Sequence, residues 1–411
     1  MDAARFATYS LTDSRILRIL SAALNAVDPY RAVKNHLPQI SGNVYGLAIG
    51  KAAVPMLAAL ADSIPLSGAL AVSKHASSAD LGLFPLFLGG HPIPDARSVI
   101  AGERVLSFVS SLKEDDTLVC LISGGGSALV TAPLIPLEEL QSLTASLLAS
   151  GATINEINTV RRQLDRIKGG GVARATKANI ISLILSDVIG NPLEAIASGP
   201  TAPDPTTRED ALAILKKYKL DERLLVSSLK SPITSTFPHV QNLIIGDNKL
   251  AAQAAYEQAQ REGFDSEVLT NELQGEAREV GIMLANKLRD EATTRPRPFC
   301  LIAGGETTVT LRGNGKGGRN QELALAAVNE LRDVKNVMLI SLATDGEDGP
   351  TDAAGAVTTG ESAERAKTLG LDAADSLSRN DAYSFFHALD DLIKTNPTGT
   401  NVNDLIFLFA L

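Results

Sequence analysis

The chain has 411 residues, a length that allows two or three domains with buried cores. Its 38 Lys and Arg against 47 Asp and Glu give a formal net charge of −9, which excludes a globally basic surface for nucleic acid or an anionic membrane. The two cysteines, Cys120 and Cys300, lie in apolar runs typical of interior strands, so a disulfide framework is excluded and a reducing compartment is expected. With no apolar stretch of about 18 residues and no signal-peptide pattern, we expect a cytoplasmic protein without a membrane partner.

Short apolar runs, several ending at glycine, predict buried parallel strands in chain order. They cover residues 44–50, 68–73, 116–126, 179–187, 242–247, 299–305 and 336–345. Ala- and Leu-rich amphipathic stretches between them predict helices at 51–63, 136–151, 248–263 and 318–333. Strand followed by helix, repeated, predicts an α/β fold of mainly parallel sheets flanked by helices. The polar, Pro-containing stretch 227–240 predicts a boundary, with one domain at 1–236 and a second at 237–411.

The first candidate site is the segment Ser123, Gly124, Gly125, Gly126 and Ser127, called the glycine loop below. It follows a predicted strand directly, where ligands bind in open α/β sheets. Glycines let backbone N–H groups approach an anion, and serines add hydroxyl donors, so the pattern favours a phosphate cradle. A tight strand-to-helix turn is the structural alternative.

Lys51 follows a second strand and opens a predicted helix. A cation at a helix N-terminus opposes the helix dipole, which indicates that Lys51 binds something negative rather than being solvated. The segment is not a P-loop, because three residues instead of four separate its glycines and Ala52 follows the lysine.

Residues 313–318 match the G-x-G-x-x-G pattern, with Lys316 inside the segment and Arg319 directly after it. The preceding residues 307–311 alternate like a half-exposed strand, unlike the first strand of a dinucleotide-binding unit. The segment therefore favours a mobile clamp on an anion over a dinucleotide site or a plain surface loop.

Asp187 and Asp345 each end an apolar strand in a glycine-containing loop. Such carboxylates suit Mg²⁺, or acceptance of a hydroxyl proton, although Asp also caps loop backbone. Asp348 and Asp352 are weaker candidates of the same kind.

A basic cluster, Arg161, Arg162, Arg166 and Lys168, runs into another triple glycine. Such a cluster is more often solvated or salt-bridged than a phosphate-binding or domain-closure element. For His91, in a Pro-stiffened loop, a structural or positioning role outweighs catalysis.

The chain strongly resembles the class II glycerate kinases, or glycerate 2-kinases, of the MOFRL family. The motifs that carry the resemblance are AIGKAA (48–53), GGHPIPD (89–95), LISGGGSALV (121–130), NTVRRQLDRIKGGG (158–171), LSDVIGNPLEAIASGPTAPD (185–204), AGGETTVTLRGNGKGGRNQELAL (303–325), ATDGEDGPTDAAGA (343–356) and TGTNVNDL (398–405).

The resemblance implies two Rossmann-like α/β domains with the active site in a cleft between them. A homodimer is a further expectation. It implies ATP- and Mg²⁺-dependent phosphorylation of D-glycerate at its 2-hydroxyl, with the family's key lysine and arginine at Lys51 and Arg319. On this hypothesis the glycine loop and Lys316 hold the nucleotide, Asp187 and Asp345 hold Mg²⁺, and Asp187 accepts the hydroxyl proton. The alternatives are an NAD(P)H-dependent hydroxypyruvate reductase, a label some members carry, and a non-catalytic sensor of a phosphorylated acid.

Overall fold

The computed structural model describes residues 1–76, 82, 84–226 and 236–411. Within them the chain forms two compact units: a central unit, Pro29–Ile245, and a split unit made of Met1–Asp28 and Gly246–Leu411. This division differs from the predicted domains 1–236 and 237–411, because the first 28 residues belong with the C-terminal part of the chain. Residues 227–235 of the predicted boundary stretch lie outside the described residues.

The described strands are β1 (Val44–Ile49), β2 (Gly68–Ser73), β3 (Leu86–Leu88), β4 (Thr117–Ile122), β5 (Asn179–Leu185), β6 (Val240–Gly246), β7 (Asp265–Leu273), β8 (Phe299–Gly305), β9 (Val337–Ala343), β10 (Gly355–Thr359), β11 (Leu392–Ile393) and β12 (Asp404–Ala410). The described α-helices are α1 (Ser14–Ala26), α2 (Pro29–His36), α3 (Ala53–Ser63), α4 (Ala96–Ser110), α5 (Gly126–Leu129), α6 (Leu137–Ala149), α7 (Ile154–Gln163), α8 (Gly171–Arg174), α9 (Arg208–Lys217), α10 (Arg223–Val226), α11 (Asn248–Arg261), α12 (Ala277–Thr294), α13 (Arg319–Ala327), α14 (Ser362–Thr368), α15 (Ala373–Ser378) and α16 (Ala382–Leu389). Two short 3-10 helices cover Ala3–Phe6 and Ile196–Ser198.

The first sheet has the strand order β3-β2-β1-β4-β5-β6. Strands β1 to β5 all run parallel. This is the strand order of a doubly wound, Rossmann-like sheet, in which β1 and β4 lie side by side at the centre although β2 and β3 separate them in sequence. The neighbouring carboxyl ends of β1 and β4 therefore form the topological switch point, where such sheets bind ligands.

The second sheet has the order β11-β10-β9-β12-β8-β7, and four of its six strands, β7, β8, β9 and β11, run in one direction. The last strand, β12, lies between β8 and β9 and is antiparallel to both. Asp404, the first residue of β12, consequently pairs with Gly305 and Ala343 at the carboxyl ends of its neighbours. A residue late in the chain thus reaches the sheet edge where β8 and β9 end.

Local sequence signals explain where several helices begin. Thr153 and Glu156 form a capping box at the start of α7, and Asp95 and Ser98 form another at α4. Asp13 caps α1 by accepting a hydrogen bond from the Arg15 amide. These side chains satisfy N–H groups that have no partner inside the helix.

The predicted α/β fold of two helix-flanked sheets is confirmed. The first sheet is parallel as expected, whereas four of the five adjacent strand pairs of the second sheet are antiparallel, because β10 and β12 run against their neighbours. All seven predicted strands and all four predicted helices are present. Most of their ends lie within two residues of the prediction, but α13 ends at Ala327, six residues before the predicted end, and β4 ends at Ile122, four residues before it. Residues 307–311, which alternate like a half-exposed strand, form no strand in the described structure, and Thr308 makes only an isolated bridge to Glu276. No helix in the described part of the chain is long and apolar enough to cross a membrane.

Candidate active site

Two loops meet at the switch point of the first sheet, one after β1 and one after β4. The amide of Lys51 donates to the carbonyl of Gly124 at 2.9 Å, and the amide of Ser123 donates to the carbonyl of Ile49 at 2.9 Å. The buried Ser123 hydroxyl also accepts from the amide of Ala52 at 3.0 Å. The Ser123 side chain therefore joins the two loops, and these contacts place Lys51 against the glycine loop.

The rest of the glycine loop presents backbone donors. Within the described part of the chain, no acceptor meets the amide N–H of Gly124, Gly125, Gly126 or Ser127. Gly125 has φ +82°, a left-handed conformation that favours glycine and turns successive amides to one side. The loop therefore has the geometry of an anion-binding nest, as the phosphate-cradle prediction requires.

Three predicted side chains lie at this loop. A Cβ built on Gly124 would overlap the carboxylate of Asp187, so that carboxylate packs directly on the loop backbone. A Cβ on Gly125 would lie 3.3 Å from Cγ of Lys51 and 3.2 Å from Cδ2 of His91. The structure thus brings Lys51, Asp187 and His91 together around two adjacent glycines. An ammonium, an imidazole and a carboxylate next to free amides can bind an oxyanion and take up a proton.

A strained turn supports the loop from the other side. The hydroxyl groups of Ser127 and Ser198 lie 2.7 Å apart, and Gly126 packs so closely on Ala197 that a Cβ would lie 2.6 Å from the methyl group. Ala197 and Ser198 have φ +50° and +60°, in the left-handed region that side chains disfavour. Such strain persists only where the surroundings fix it, and it is typical of functional turns.

The split unit holds the second predicted cation, Arg319, at the first position of α13. Its Nε and Nη2 donate to the two carboxylate oxygens of Asp404 at 2.6 and 3.0 Å, and its Nη1 lies 2.7 Å from Glu306. Burial raises the pKa of Asp404 to about 6, although the Arg319 charge opposes the shift. Asn403 donates to the other oxygen of Glu306 at 3.0 Å. Two carboxylates therefore fix the orientation of the Arg319 guanidinium.

Asp348 is buried and caps α13 from a distant loop. Its carboxylate accepts the amides of Asn320 and Gln321 at 3.1 and 2.9 Å, and also their side-chain amide groups. Burial raises the pKa of Asp348, and the hydrogen bonds from these amides oppose that shift. Asp348 therefore caps backbone amides, which is the structural alternative to a direct role in the site. The same contacts anchor the helix that carries Arg319.

The G-x-G-x-x-G segment is anchored to the chain around residue 380. Gly315 donates to the carbonyl of Arg379 at 2.9 Å, Gly313 donates to the Asn380 side chain at 3.0 Å, and Lys316 donates its amide to Asp381 at 3.2 Å. The Lys316 ammonium lies 4.0 Å from the centre of the Tyr383 ring. These backbone donors already have protein acceptors, and the predicted nucleotide role of Lys316 rests on its exposed side chain alone.

The two predicted Mg²⁺ ligands have different surroundings. Asp345 accepts from the amide of Glu347 at 3.1 Å, a local loop contact, whereas Asp187 lies beside the free amides of the glycine loop. No group of three or more His, Cys, Asp or Glu residues suited to a metal occurs in the described ranges. Mg²⁺ bound with phosphate oxygens needs only one or two carboxylates, so Asp187 fits this ion by its oxygen donors and position.

Several residues of these sites are not evident in the sequence. Asp404 and Glu306 contact Arg319 although they lie 85 and 13 residues away, and Ser198 reaches the glycine loop from 71 residues away. The only sequence signal for Asp404 was its place in the motif TGTNVNDL, and that motif indicated no chemical role for it. Only the pairing of β12 with β8 reveals that role.

Comparison with known proteins places the chain among well-defined relatives. Residues 15–230 match the model of a domain of unknown function (DUF4147), and residues 299–404 match the model of the MOFRL family. A D-glycerate 2-kinase from Thermotoga maritima is 42% identical, with 95% of this chain and 96% of the relative covered. A crystal structure of glycerate kinase from Thermotoga maritima superposes with a TM-score of 0.90 and 41% identity, over 96% of this chain and 98% of that chain. A putative hydroxypyruvate reductase from Agrobacterium vitis is 38% identical over 94% of this chain and 92% of the relative.

Proposed function

The chain belongs to the class II glycerate kinase family, which carries the MOFRL domain, and from this membership we propose that it transfers the γ-phosphoryl group of ATP to the 2-hydroxyl of D-glycerate. The hydroxyl oxygen forms a bond to the γ-phosphorus as the bond from that phosphorus to the bridging oxygen of ADP breaks. The hydroxyl proton leaves to a base, and the products are 2-phospho-D-glycerate and ADP.

The observation that carries this proposal is the nest of free amides in the glycine loop, with Lys51 bound against it at the switch point of the sheet. Phosphoryl transfer depends mainly on positioning and on stabilising negative charge, and backbone N–H groups with an adjacent ammonium supply both. Lys51 would neutralise charge on the phosphates. Arg319, held by Asp404 and Glu306, would act on the transferring group or the glycerate carboxylate.

Asp187 has two chemical roles within the proposal. Its carboxylate beside Gly124 can accept the 2-hydroxyl proton or hold Mg²⁺. When bound, Mg²⁺ neutralises phosphate charge and orients the phosphate oxygens. Asp345 remains a proposed second ligand of Mg²⁺.

The two cysteines bear on where the protein works. Cys120 and Cys300 are both buried with free thiols, which supports a reducing, cytoplasmic location.

A reductase reaction has less support. The segment 313–318 has no strand leading into it, and its backbone donors already bind protein acceptors. A dinucleotide fingerprint needs a preceding strand and amides that face the pyrophosphate. Hydroxypyruvate with NADH or NADPH is therefore the comparison reaction rather than a second proposal.

The test is to incubate the purified protein with D-glycerate, ATP and Mg²⁺ and to identify the product by phosphorus NMR. The expected result is 2-phosphoglycerate and an equal amount of ADP. Parallel reactions contain hydroxypyruvate with NADH or NADPH. Oxidation of the reduced cofactor without phosphoryl transfer would overturn the kinase proposal, and ligand-induced stabilisation without any turnover would favour a sensor.

A further inference from the structure

The basic cluster 161–168 is salt-bridged in three of its four members. Arg162 lies 2.9 Å from Asp204, and Lys168 lies 2.7 Å from Asp165 in a pair that is almost completely buried. Arg166 pairs with Glu103 at the surface. Arg161 is the exception, because no carboxylate of the described residues forms an ion pair with it.

Arg161 nevertheless lies in a poorly hydrated position on α7. Its Nη2 donates to the carbonyl of Ser127 at 2.9 Å. Its Nε is shielded from solvent and has no hydrogen-bond partner. Burial lowers the pKa of the guanidinium, with only the more distant charge of Asp165 opposing the shift. Shielded cations are normally paired with an anion, since an unpaired charge that has lost part of its hydration is unfavourable.

The same loop supplies further donors. Ser127, whose carbonyl binds Arg161, also has a free amide, as do Gly125 and Gly126 before it. The contact between the Ser127 and Ser198 hydroxyls holds this end of the loop in place. The guanidinium and the row of amides therefore belong to one short loop, and each of them attracts oxyanions. Arg319 differs, because Asp404 and Glu306 already pair its charge.

We propose that Arg161 binds an oxyanion of the ligand held by the glycine loop, either the carboxylate of the acceptor or a phosphate of the nucleotide. This inference rests on the proposed kinase function and deepens it. The fork of N–H groups on a guanidinium suits the paired oxygens of both groups. Ligand binding would pair the charge that the protein leaves unpaired.

The experiment compares Arg161→Met with Arg166→Met, which removes an exposed, paired arginine five residues away. Steady-state rates are measured with D-glycerate and ATP varied separately. If Arg161 binds the carboxylate, KM for D-glycerate rises about tenfold or more while KM for ATP changes less than about threefold; if it binds a phosphate, the two changes are exchanged. Both KM values of Arg166→Met should stay within about threefold of those of the unmodified protein.

A purely structural role for Arg161 has a different signature. An equal change in both KM values, a fall in kcat alone, or values like those of Arg166→Met would overturn the inference. If Arg161→Met does not fold, Arg161→Lys takes its place, since it keeps the charge and loses only the fork. In Arg161→Lys, a rise of at least about threefold in only one of the two KM values supports the role of Arg161 in binding the oxyanion. Any change that does not distinguish the two KM values overturns it.

A binding measurement separates this inference from the kinase proposal. The rise in melting temperature caused by D-glycerate, or by ATP, needs no turnover. At least one of the two ligands should raise the melting temperature of the unmodified protein, and Arg161→Met should lose that rise. If each ligand raises the melting temperature of Arg161→Met as much as that of the unmodified protein, the inference is overturned. An unmodified protein that forms no phosphoglycerate would overturn the kinase proposal alone.

Discussion

At the scale of single residues, the two predicted cations differ in their partners. Lys51 packs beside free backbone amides, and a phosphate bound to those amides would place negative charge next to the ammonium. Arg319 is bound by Asp404 in a two-point contact and by Glu306. A guanidinium held on one edge by a carboxylate keeps a fixed direction for its remaining N–H groups. We therefore regard Asp404 as a positioning residue for Arg319.

Replacement of Asp404 should change the pH dependence of the reaction. With a pKa of about 6, the Asp404 carboxylate gains a proton below that pH and loses its two-point contact, so kcat should fall there. Asp404→Asn should lower kcat about 10- to 100-fold at pH 8, since a charged hydrogen bond is worth about 1.5–3 kcal/mol, and should abolish this acid limb. A pH–rate profile from pH 5 to 9 measures both effects.

The stability effect of Asp404 has the opposite sign. Its pKa in the folded chain lies above the ordinary value of 3.8, so the folded state holds the proton more tightly between about pH 4 and 6. This group therefore stabilises the fold more as the pH falls from about 6 towards 4.

Asp391→Asn is the control for the pH–rate profile, because Asp391 is also a buried carboxylate that binds an arginine, Arg365, elsewhere in the split unit. An unchanged acid limb in Asp404→Asn would contradict the assignment.

Removal of the Lys51 charge should affect chemistry much more than folding. Lys51→Met keeps an unbranched side chain one atom shorter than lysine but loses the ammonium. The value of kcat/KM should fall on the order of 10²-fold or more, since phosphoryl transfer relies on charge stabilisation. Lys177→Met removes an exposed lysine of the same unit as the control. Initial-rate assays of both variants, with melting curves, measure the effect. Rates within about threefold of the unmodified enzyme would remove Lys51 from the mechanism.

At the scale of elements, the N-terminus of α13 connects stability with the site. Asp348 caps this helix through the amides of Asn320 and Gln321, so Asp348→Ala leaves buried donors without a partner. The free energy of unfolding should fall by about 1–3 kcal/mol. Activity should fall as well, because Arg319 occupies the first position of the same helix.

Urea denaturation and initial rates measure the two effects of Asp348→Ala. Asp352→Ala is the matched control: Asp352 is exposed and pairs with Lys394, and such surface pairs contribute about 0–1 kcal/mol. If both variants lost the same stability, the capping role of Asp348 would be refuted.

At the scale of the whole molecule, the first 28 residues belong to the split unit. Helix α1 packs on α11, and the Asp391 carboxylate accepts hydrogen bonds from Thr8 and Ser10. The large side chains of this segment that are at most 3% exposed are Phe6, Leu11, Ile16, Ile19, Leu20 and Leu24. At about 1.5–3 kcal/mol each, their burial contributes on the order of 10 kcal/mol, similar to the whole stability of a domain.

Deletion of residues 1–28 should therefore unfold the split unit and leave the central unit folded. Limited proteolysis should cut within residues 246–411 while a fragment near 29–245 persists, and mass spectrometry identifies the fragments. Arg18→Ala, which removes an exposed partner of Glu262 on the same segment, should resist cleavage like the unmodified protein. Equal resistance of the deleted and the full chain would contradict the role of this segment.

The sequence by itself determined the features that depend on neighbouring residues. The apolar runs that became β1, β4, β5, β8 and β9, the glycine loop after β4, and Lys51 after β1 follow from local periodicity and from the backbone freedom of glycine. The order of strand and helix was enough for the α/β class, and the motifs were enough for the family.

Only the tertiary structure decided which of these segments lie together. The sheet order places β1 beside β4, and β12 inserts between β8 and β9, which brings Asp404 to Arg319. The same long-range packing pairs Arg162 with Asp204, leaves Arg161 without a carboxylate, and joins the first 28 residues to the end of the chain. Strand neighbours and ion-pair partners are chosen by burial across the whole fold, and residues many positions apart carry no local pattern that reveals that choice.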